Sequence, residues 1–236
     1  MLVVSNIDLT IDVPMMKPAA FLNSSVRDFV LNVNNDYWYM KVGYYVSLHA
    51  ELLDDKVIPP SENVIDASRL PILLVRASKA GIPTSHHLIT DSAKQIMSDL
   101  GFPVAVFAVN PFTQHGYKIA TNRTALYKAV KSLSMNYKYV VCAQPLIGEI
   151  VTFKSIFGKC EIKEECVEEI SVKVYEAFKI PICKLHVQRA DGNAYLCGLE
   201  PLRMEEILPY DLRVISEEVS RFSGKAGLIG QDSMLC

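Results

Sequence analysis

One apolar run restricts the fold of this chain more than any other segment. Residues 104–109, VAVFAV, are apolar at six consecutive positions and follow a Gly-Phe-Pro turn at 101–103. A strand that is apolar on both faces needs cover on both faces, so it belongs in the interior of a sheet. Helical patterns flank the run on both sides. We therefore expect an α/β (α+β) fold in which helices cover a sheet.

The region 71–142 shows the clearest order of elements. A helix over 70–80 is closed by Gly81, with Pro83 just beyond it. A strand at 87–89, a helix capped by Asp91, the 104–109 strand, a polar loop over 110–116 and a strand at 117–120 come next. A helix capped by Thr121 or Asn122 and a strand at 139–143 complete the region.

The two flanking regions also predict mixed structure. The first has strands at 2–4 and 56–58 around a helix at 44–53. The last has a hairpin arm over 150–157, a helix over 161–178, two strands joined by an Asp191-Gly192-Asn193 turn, and a helix over 211–222 before a glycine-rich tail that we expect to fray. We predict three lobes, at 1–70, 71–143 and 144–236.

Composition excludes several classes of protein. The chain has 24 Lys and Arg against 26 Asp and Glu, a formal net charge of −2. It therefore lacks the excess of basic residues that is typical of nucleic-acid-binding proteins. Its apolar runs are far shorter than the roughly 18–20 residues needed to span a bilayer, and the first residues do not read as a signal peptide. Six cysteines at irregular spacing, without a C-x-x-C pair, favour free buried thiols in a reducing cytoplasm.

Four motifs in the second and third regions, taken in order, resemble those of ATP-grasp ligases. They are AGIPT at 80–84, GFPVAV at 101–106, QPLIGE at 144–149 and DGNAYL at 191–196. The stretch 30–59, with KVGYYVSLHAE at 41–51, resembles the N-terminal domain of RimK-like ATP-grasp proteins. Together the matches span roughly residues 26–205.

The resemblance implies a fold, an activity and two cofactors. ATP-grasp ligases join a carboxylic acid to an amine through an acylphosphate formed from ATP, with Mg²⁺ ions bridging the phosphates. The implied fold is a small N-terminal α/β lobe followed by two α+β lobes with an ATP cleft between them. The implied partners are a nucleotide and a small acid, amine or peptide, with a homo-oligomer also possible.

The resemblance also assigns candidate site residues. The adenine linker corresponds to Gln144, Pro145, Leu146 and Ile147, followed by the acid Glu149. Lys118 and His115 are the candidates for phosphate contact, and Glu200 is the candidate Mg²⁺ ligand. No catalytic residue is assigned.

Four positions depart from the family pattern. Phe107 and Ala108 stand where the family has Lys-Pro, so the phosphate-binding lysine is missing. Gly198 stands where the last strand should carry an acid, and Lys184 falls near the position of the partner acid. A single carboxylate binds Mg²⁺ weakly, because the ion prefers near-octahedral oxygen ligation with one or two carboxylates plus phosphates.

Each candidate also has a simpler interpretation. Glu200 can be a solvated strand-end carboxylate, and Lys118 and His115 a charged strand end and a loop histidine. Two functions therefore stay open. One is an ATP-dependent carboxylate–amine ligase, and the other is a degenerate, non-catalytic ATP-grasp relative that acts as a binding or assembly module.

Overall fold

A computed structural model describes residues 1–109 and 116–232, with side chains up to residue 224. The described residues form three sheets. We call them the N-terminal, middle and C-terminal sheets. Each is built from one of the three regions recognised in the sequence, whereas the lobe boundaries at residues 70 and 143 remain a prediction.

The N-terminal sheet is parallel and has the strand order β2-β1-β3-β4. Its elements are β1 (Leu2–Val4), β2 (Met15–Met16), α1 (Pro18–Leu22), β3 (Val30–Asn32), α2 (Val42–Leu52) and β4 (Val57–Ile58). The predicted strands at 2–4 and 56–58 and the helix at 44–53 are confirmed within two residues. The two-residue strand β2 and the five-residue helix α1 were not predicted, because neither is long enough to show a periodic pattern.

Two helices connect this sheet to the middle sheet: α3 (Ser61–Ser68) and α4 (Leu70–Lys79). Helix α4 ends as predicted, with Gly81 at a positive φ of 72°. Its buried residues Leu73, Leu74 and Ala77 pack in the same apolar cluster as the C-terminal sheet. Helix α3 was not predicted from the sequence.

The middle sheet is antiparallel and has the order β5-β8-β6-β7. Its elements are β5 (Leu88–Thr90), α5 (Ala93–Asp99), β6 (Val104–Ala108), β7 (Tyr117–Ala120), α6 (Arg123–Leu133) and β8 (Val141–Pro145). Strand β6, the apolar run of the sequence, lies between β8 and β7, which confirms its interior position. The predicted Asp91 cap is wrong, since the Ser92 hydroxyl accepts the hydrogen bond from the Gln95 amide.

The C-terminal sheet is antiparallel and has the order β11-β10-β9. Its elements are β9 (Glu149–Ile156), α7 (Glu165–Phe178), β10 (Ile182–Ala190) and β11 (Asn193–Glu200), followed by α8 (Pro209–Asp232). The predicted turn at Asp191 and Gly192 is confirmed, with both residues at positive φ. The predicted hairpin arm over 150–157 is confirmed as β9, which pairs with β10, whereas the expected end of the last helix at 222 is wrong, because α8 remains helical to Asp232.

The two faces of the middle sheet belong to different cores. Ala105, Phe107 and Cys142 pack in a cluster shared with α3, α4, α7 and the C-terminal sheet. Val104 and Val106, on the opposite face, pack against α5 and α6. Because side chains alternate along a strand, this division fixes which residues of β6, β7 and β8 can face the C-terminal sheet.

Two expectations from composition can be compared with the described residues. No helix in the described part of the chain is long and apolar enough to cross a membrane. The five cysteines described are free thiols, and Cys236 lies outside the described residues. Burial raises the pKa of the Cys142, Cys183 and Cys197 thiols to about 12.

Candidate functional site

The middle and C-terminal sheets meet through three rings, which we call the aromatic plug: Phe107, Tyr117 and His186. Phe107 and Tyr117 are cross-strand neighbours on β6 and β7, with ring centroids 5.2 Å apart. Both rings reach His186 on β10, at 6.1 Å from Phe107 and 5.3 Å from Tyr117. These distances are those of packed aromatic pairs, so the plug joins the two sheets directly.

Gly198 on β11 lets the plug approach the C-terminal sheet closely. A Cβ atom at this position would lie 3.4 Å from the His186 ring and 3.6 Å from the Phe107 ring. The cavity beside the plug, bordered by Phe107, His186, Gly198 and Glu200, measures only about 30 Å³. Ligand pockets usually measure roughly 300–1,000 Å³, so the described walls leave no room for a nucleotide here.

Gln144 connects the same two sheets by a hydrogen bond. Its side chain is fully buried, and its Nε2 donates to the backbone carbonyl of Cys197 on β11 at 2.9 Å. The sequence assigned Gln144 to the adenine linker, but the residue lies within strand β8 and its amide group is directed into the interface. This contact ties β8 to β11.

The backbone of the linker after Gln144 is bound by another glutamine of the chain, Gln188 on β10. The Gln188 Oε1 accepts from the amides of Ile147 at 2.6 Å and Gly148 at 3.2 Å. Its Nε2 donates to the carbonyl of Pro145 at 3.2 Å. Gln188 is almost fully buried, and its side chain occupies three of the backbone groups through which a linker could bind an adenine base.

Two further contacts hold the linker in place. The amide of Leu146 donates to the carbonyl of Pro103 at 2.9 Å. A Cβ atom on Gly148 would lie 1.9 Å from the carbonyl oxygen of Arg189, so only glycine allows this approach of the linker to β10. The side chain of Ile147 is more than half exposed.

A charged cluster lies beside the plug at the end of the β10–β11 pair. Lys184 and Glu200 are cross-strand partners, and the Lys184 Nζ lies 2.8 Å from Glu200 Oε1 and 2.9 Å from Glu206 Oε1. His186 Nε2 lies 3.4 Å from the other Glu200 oxygen, while its Nδ1 shares a hydrogen bond of 2.8 Å with the Thr152 hydroxyl. Both oxygens of Glu200 therefore have a nitrogen neighbour.

The pKa values of the cluster follow from these contacts. Burial alone would raise the pKa of Glu200, but hydrogen bonds and charge from His186 and Lys184 outweigh it and lower the pKa to about 2. Hydrogen bonds from Arg203 and Lys184 likewise outweigh desolvation at Glu206 and lower its pKa to about 2. The pKa of Lys184 is raised, because hydrogen bonds to Glu200 and Glu206 exceed the effect of its burial. The cluster is thus a set of matched charges.

The predicted Mg²⁺ ligand, Glu200, is therefore already paired with a cation of the chain itself. Lys184 stands where the resemblance implies a second acid, and its ammonium group pairs with Glu200, the one acid that the pattern retains. No group of three or more His, Cys, Asp or Glu side chains within the described residues is arranged to hold a metal ion. The donor set at this site does not fit Mg²⁺, whose coordination needs unpaired carboxylate oxygens.

Glu149 lies outside the interface, at the start of β9. Its carboxylate pairs with Arg189 Nη2 at 2.7 Å, and the other guanidinium nitrogen of Arg189 pairs with Glu164. These three residues line an open acidic depression of about 670 Å³ that also includes Asp191. Glu149 thus interacts with a basic residue, as the family pattern allows.

Of the two predicted phosphate contacts, Lys118 lies away from the interface. Lys118 is the cross-strand partner of Val106, so it lies on the α5–α6 face of the middle sheet. Its Nζ donates to the Ser132 hydroxyl on α6 at 2.7 Å. His115 lies outside the described residues. The strand neighbour of Lys118 on the interface side is Tyr117, which sequence reasoning did not select.

Sequence reasoning missed the residues that close the site, namely Tyr117, His186 and Gln188. The register of the β6–β7 pair would have identified Tyr117, since it lies opposite Phe107. Gln188 carries no motif, and its role depends on how β10 packs beneath the linker. By contrast, the substitutions at Phe107, Lys184 and Gly198 were visible in the sequence, and the structure brings all three positions together.

Comparisons with solved structures show an ATP-grasp fold. One similar structure is a RimK-domain ATP-grasp protein from Sphaerobacter thermophilus DSM 20745, with 12% identity, a TM-score of 0.64 and coverage of 92% of this chain and 97% of that one. Another is the D-alanine–D-alanine ligase of Bacillus anthracis complexed with ATP, with 16% identity, a TM-score of 0.62 and coverage of 96% and 97%. A third is the ATP-grasp ligase PsnB complexed with a minimal precursor, with 14% identity, a TM-score of 0.53 and coverage of 86% and 90%.

Comparison with protein families identifies the chain more specifically. No curated protein matches it at a significant level. The family described as the RimK-like ATPgrasp N-terminal domain matches residues 18–217, which is most of the chain and includes the middle and C-terminal sheets and strands β3 and β4 of the N-terminal sheet. This chain therefore belongs to the RimK-like ATP-grasp N-terminal domain family.

Proposed function

We propose that this chain is a non-catalytic ATP-grasp relative that acts as a binding or assembly module. The observation that carries this proposal is the closed interface between the middle and C-terminal sheets. The aromatic plug leaves a cavity of about 30 Å³ at the position where the family resemblance implies an ATP cleft. A binding or assembly module requires the folded surface of the domain but does not require an open ATP cleft.

The polar groups around the plug support the same conclusion. Gln188 occupies three backbone groups of the linker, and Lys184 neutralises the carboxylate that would face Mg²⁺. Phe107 supplies no charge where the family has a lysine. Because buried polar groups are costly to leave unpaired, these internal bonds oppose opening the cleft to a nucleotide.

The family description supports a role beside a separate catalytic domain. It describes an N-terminal domain of RimK-like ATP-grasp proteins, and the match covers residues 18–217. In this proposal, catalysis is carried out by a separate ATP-grasp domain that retains its lysine and acidic residues. The present chain binds that domain and positions it. Cytoplasmic location and homo-oligomer formation stay predictions.

The competing hypothesis is a carboxylate–amine ligase. It would use ATP and Mg²⁺, with Gln144–Ile147 at the adenine, Lys118 and His115 at the phosphates and Glu200 at the metal. The similar structures include a ligase complexed with ATP and a ligase complexed with a minimal precursor, which makes a nucleotide and a small acid, amine or peptide the substrates to test. At 12–16% identity this likeness shows the fold alone.

Isothermal titration with ATP and Mg²⁺ separates the two hypotheses. We expect no heat of binding at millimolar nucleotide for the natural chain. The variant Phe107→Lys/Lys184→Glu/Gly198→Asp restores charge at three family positions and should gain measurable affinity, provided that it melts cooperatively. Val75→Lys, at an exposed position on α4, adds a lysine away from the interface and serves as the control.

The proposal fails on either of two results. One is saturable binding of Mg²⁺-ATP by the natural chain with a stoichiometry near one. The other is steady phosphate release from ATP that depends on both an added acid and an added amine. If the charge-restored variant does not fold, the titration and phosphate assays on the natural chain still decide the question.

A further inference from the structure

The near-zero net charge conceals an uneven distribution. Residues 88–145, which form the middle sheet with α5 and α6, contain six Lys or Arg and two Asp, a formal charge of +4. Since the whole chain has a formal charge of −2, the residues outside 88–145 together have a formal charge of −6. The expectation of no nucleic-acid partner rested on the charge of the chain as a whole and along its sequence, so it does not address how basic residues are distributed over this part of the folded molecule.

The basic side chains of this region gather on its outer surface, away from the plug. Lys128 and Lys131 are exposed residues of α6, and their i, i+3 spacing places them on one face of the helix. Lys118 reaches the same face from β7, because its Nζ bonds Ser132, which follows Lys131 on α6. The exposed Arg123 stands in the first turn of α6, and the exposed Lys138 lies just beyond its end. We call these five residues the basic face.

These cations lack an acidic partner among the described side chains, whereas most cations of the C-terminal region have one. Within the described residues, no carboxylate lies within 4.0 Å of a basic nitrogen on the basic face, nor of Lys94 on α5. In the C-terminal region, Lys154, Lys159, Lys184, Arg189 and Arg203 each pair with an acid. A surface with several cations and no acid within ion-pairing distance of them produces a positive potential that attracts an anionic partner.

Aromatic side chains accompany these cations. Tyr137 and Tyr139, on either side of Lys138, are 44% and 39% exposed. The Arg123 guanidinium lies over the Tyr127 ring, 5.6 Å from its centroid. Lysines that contact phosphates, combined with exposed rings on which bases stack, are the features that bind single-stranded nucleic acid without strong sequence preference. An acidic protein partner would use the charges but would not need the exposed rings.

We propose that the basic face, with Tyr137 and Tyr139, binds single-stranded nucleic acid. The lysines contact phosphates and the two tyrosines stack on bases at the C-terminal end of α6. The site lies on the opposite side of the middle sheet from the plug, so it operates whether or not the interface between the sheets binds a nucleotide. It is independent of the proposed function above.

The test is fluorescence anisotropy with a labelled oligouridylate of about 20 nucleotides, between about 50 and 200 mM salt. The natural chain should bind at low salt, with affinity that falls as salt increases. Lys128→Gln/Lys131→Gln/Lys138→Gln should lower the affinity at least about tenfold and reduce the salt slope by about two, because each phosphate contact to a single strand contributes about 0.7. Tyr137→Leu/Tyr139→Leu should weaken oligouridylate binding several-fold and leave binding to inorganic polyphosphate unchanged.

A matched control removes the same charge elsewhere. Lys41, Lys56 and Lys163 are exposed lysines outside the middle region, and their triple Gln variant should bind like the natural chain. Thermal melts of all variants exclude misfolding as a cause of lost binding.

Four results would overturn the proposal. They are no binding by the natural chain at low salt, no loss in the basic-face variant, an equal loss in the control variant, and tighter binding to polyglutamate or to vesicles with anionic lipid than to oligouridylate. The last result would assign the face to an acidic protein or to a membrane surface instead.

Discussion

The two faces of the middle sheet use the same strands in opposite ways. On the inner face, Phe107, Tyr117 and Gln144 contact the C-terminal sheet, and most polar groups around them are bonded to other residues of the chain, with the buried Gln144 Oε1 as an exception. On the outer face, α6 presents Lys128 and Lys131 to solvent, with no acidic partner among the described residues. A face whose groups are mostly bonded within the chain offers little to a ligand, and a face with unpaired charges remains available for binding.

The largest difference between the faces should appear in stability. Phe107→Ala removes a ring that is 3% exposed and leaves a cavity between the two sheets, which should lower the free energy of unfolding by about 3–5 kcal/mol. Tyr127 is a half-buried residue of α6, and Tyr127→Ala should lower the free energy of unfolding by about 1 kcal/mol or less. Urea denaturation measures both. Equal losses for the two variants would mean that the plug does not hold the sheets together.

The linker should be the next most sensitive part of the inner face. Gln188→Leu leaves the amides of Ile147 and Gly148 and the carbonyl of Pro145 without their partner, at a cost of about 2–3 kcal/mol. Lys94→Leu on the exposed side of α5 is the control and should change stability by less than about 0.5 kcal/mol. Hydrogen exchange of the Ile147 and Gly148 amides should accelerate only in the first variant. Unchanged protection there would contradict the role given to Gln188.

The charged cluster predicts a pH dependence with a defined sign. The pKa of Glu200 is about 2 in the folded chain and about 4.5 in the unfolded chain, so its stabilising effect is present above pH 4.5 and is lost as the pH falls toward 2. After allowance for solvent screening, we expect a loss of about 1–2 kcal/mol over this range. Urea titrations between pH 6 and 3 on the natural chain and on Glu200→Gln measure it, since the variant should lose less stability on acidification. A parallel pH profile in the variant would exclude Glu200 as the source.

The smallest effect on stability is expected from the basic face. Lys128→Gln and Lys131→Gln remove charges that have no acidic partner, so each should change the free energy of unfolding by less than about 0.5 kcal/mol. Lys131 lies in the last turn of α6, where a cation interacts favourably with the helix dipole, so its loss should be the larger of the two. Thermal denaturation checks both. A loss above about 1 kcal/mol would show that these lysines have a structural role and would weaken the contrast between the faces.

The sequence predicted most of the long elements and missed the short ones. Strand β6 and the hairpin turn at Asp191–Gly192 were recognised because an apolar run and a turn motif are local signals. The cap of α5 was assigned one residue too early, because both Asp91 and Ser92 can cap a helix and only the backbone path selects between them. Helix α3 was missed, since its eight residues carry few apolar positions.

The candidate site was predicted in part. The departures at Phe107, Lys184 and Gly198 were read from the sequence, but what replaces the missing groups was not. Lys118 was selected for its charge, yet it lies on the outer face because its cross-strand partner is Val106 rather than Phe107. A shift of one residue along a strand exchanges the two faces, and a pattern of single residues does not fix that register.

By itself, the sequence determined the types of the main elements, their order and the absence of family charges at three positions, because these depend on neighbouring residues along the chain. Only the tertiary structure decided that Phe107, Tyr117 and His186 fill the space between two sheets, that Gln188 bonds the linker, and that Lys184 pairs with Glu200. Each of these contacts joins separate strands, and the Phe107–His186 and Gln144–Cys197 contacts join residues more than 50 positions apart. Their geometry follows from strand register and sheet packing, which are properties of the folded chain as a whole.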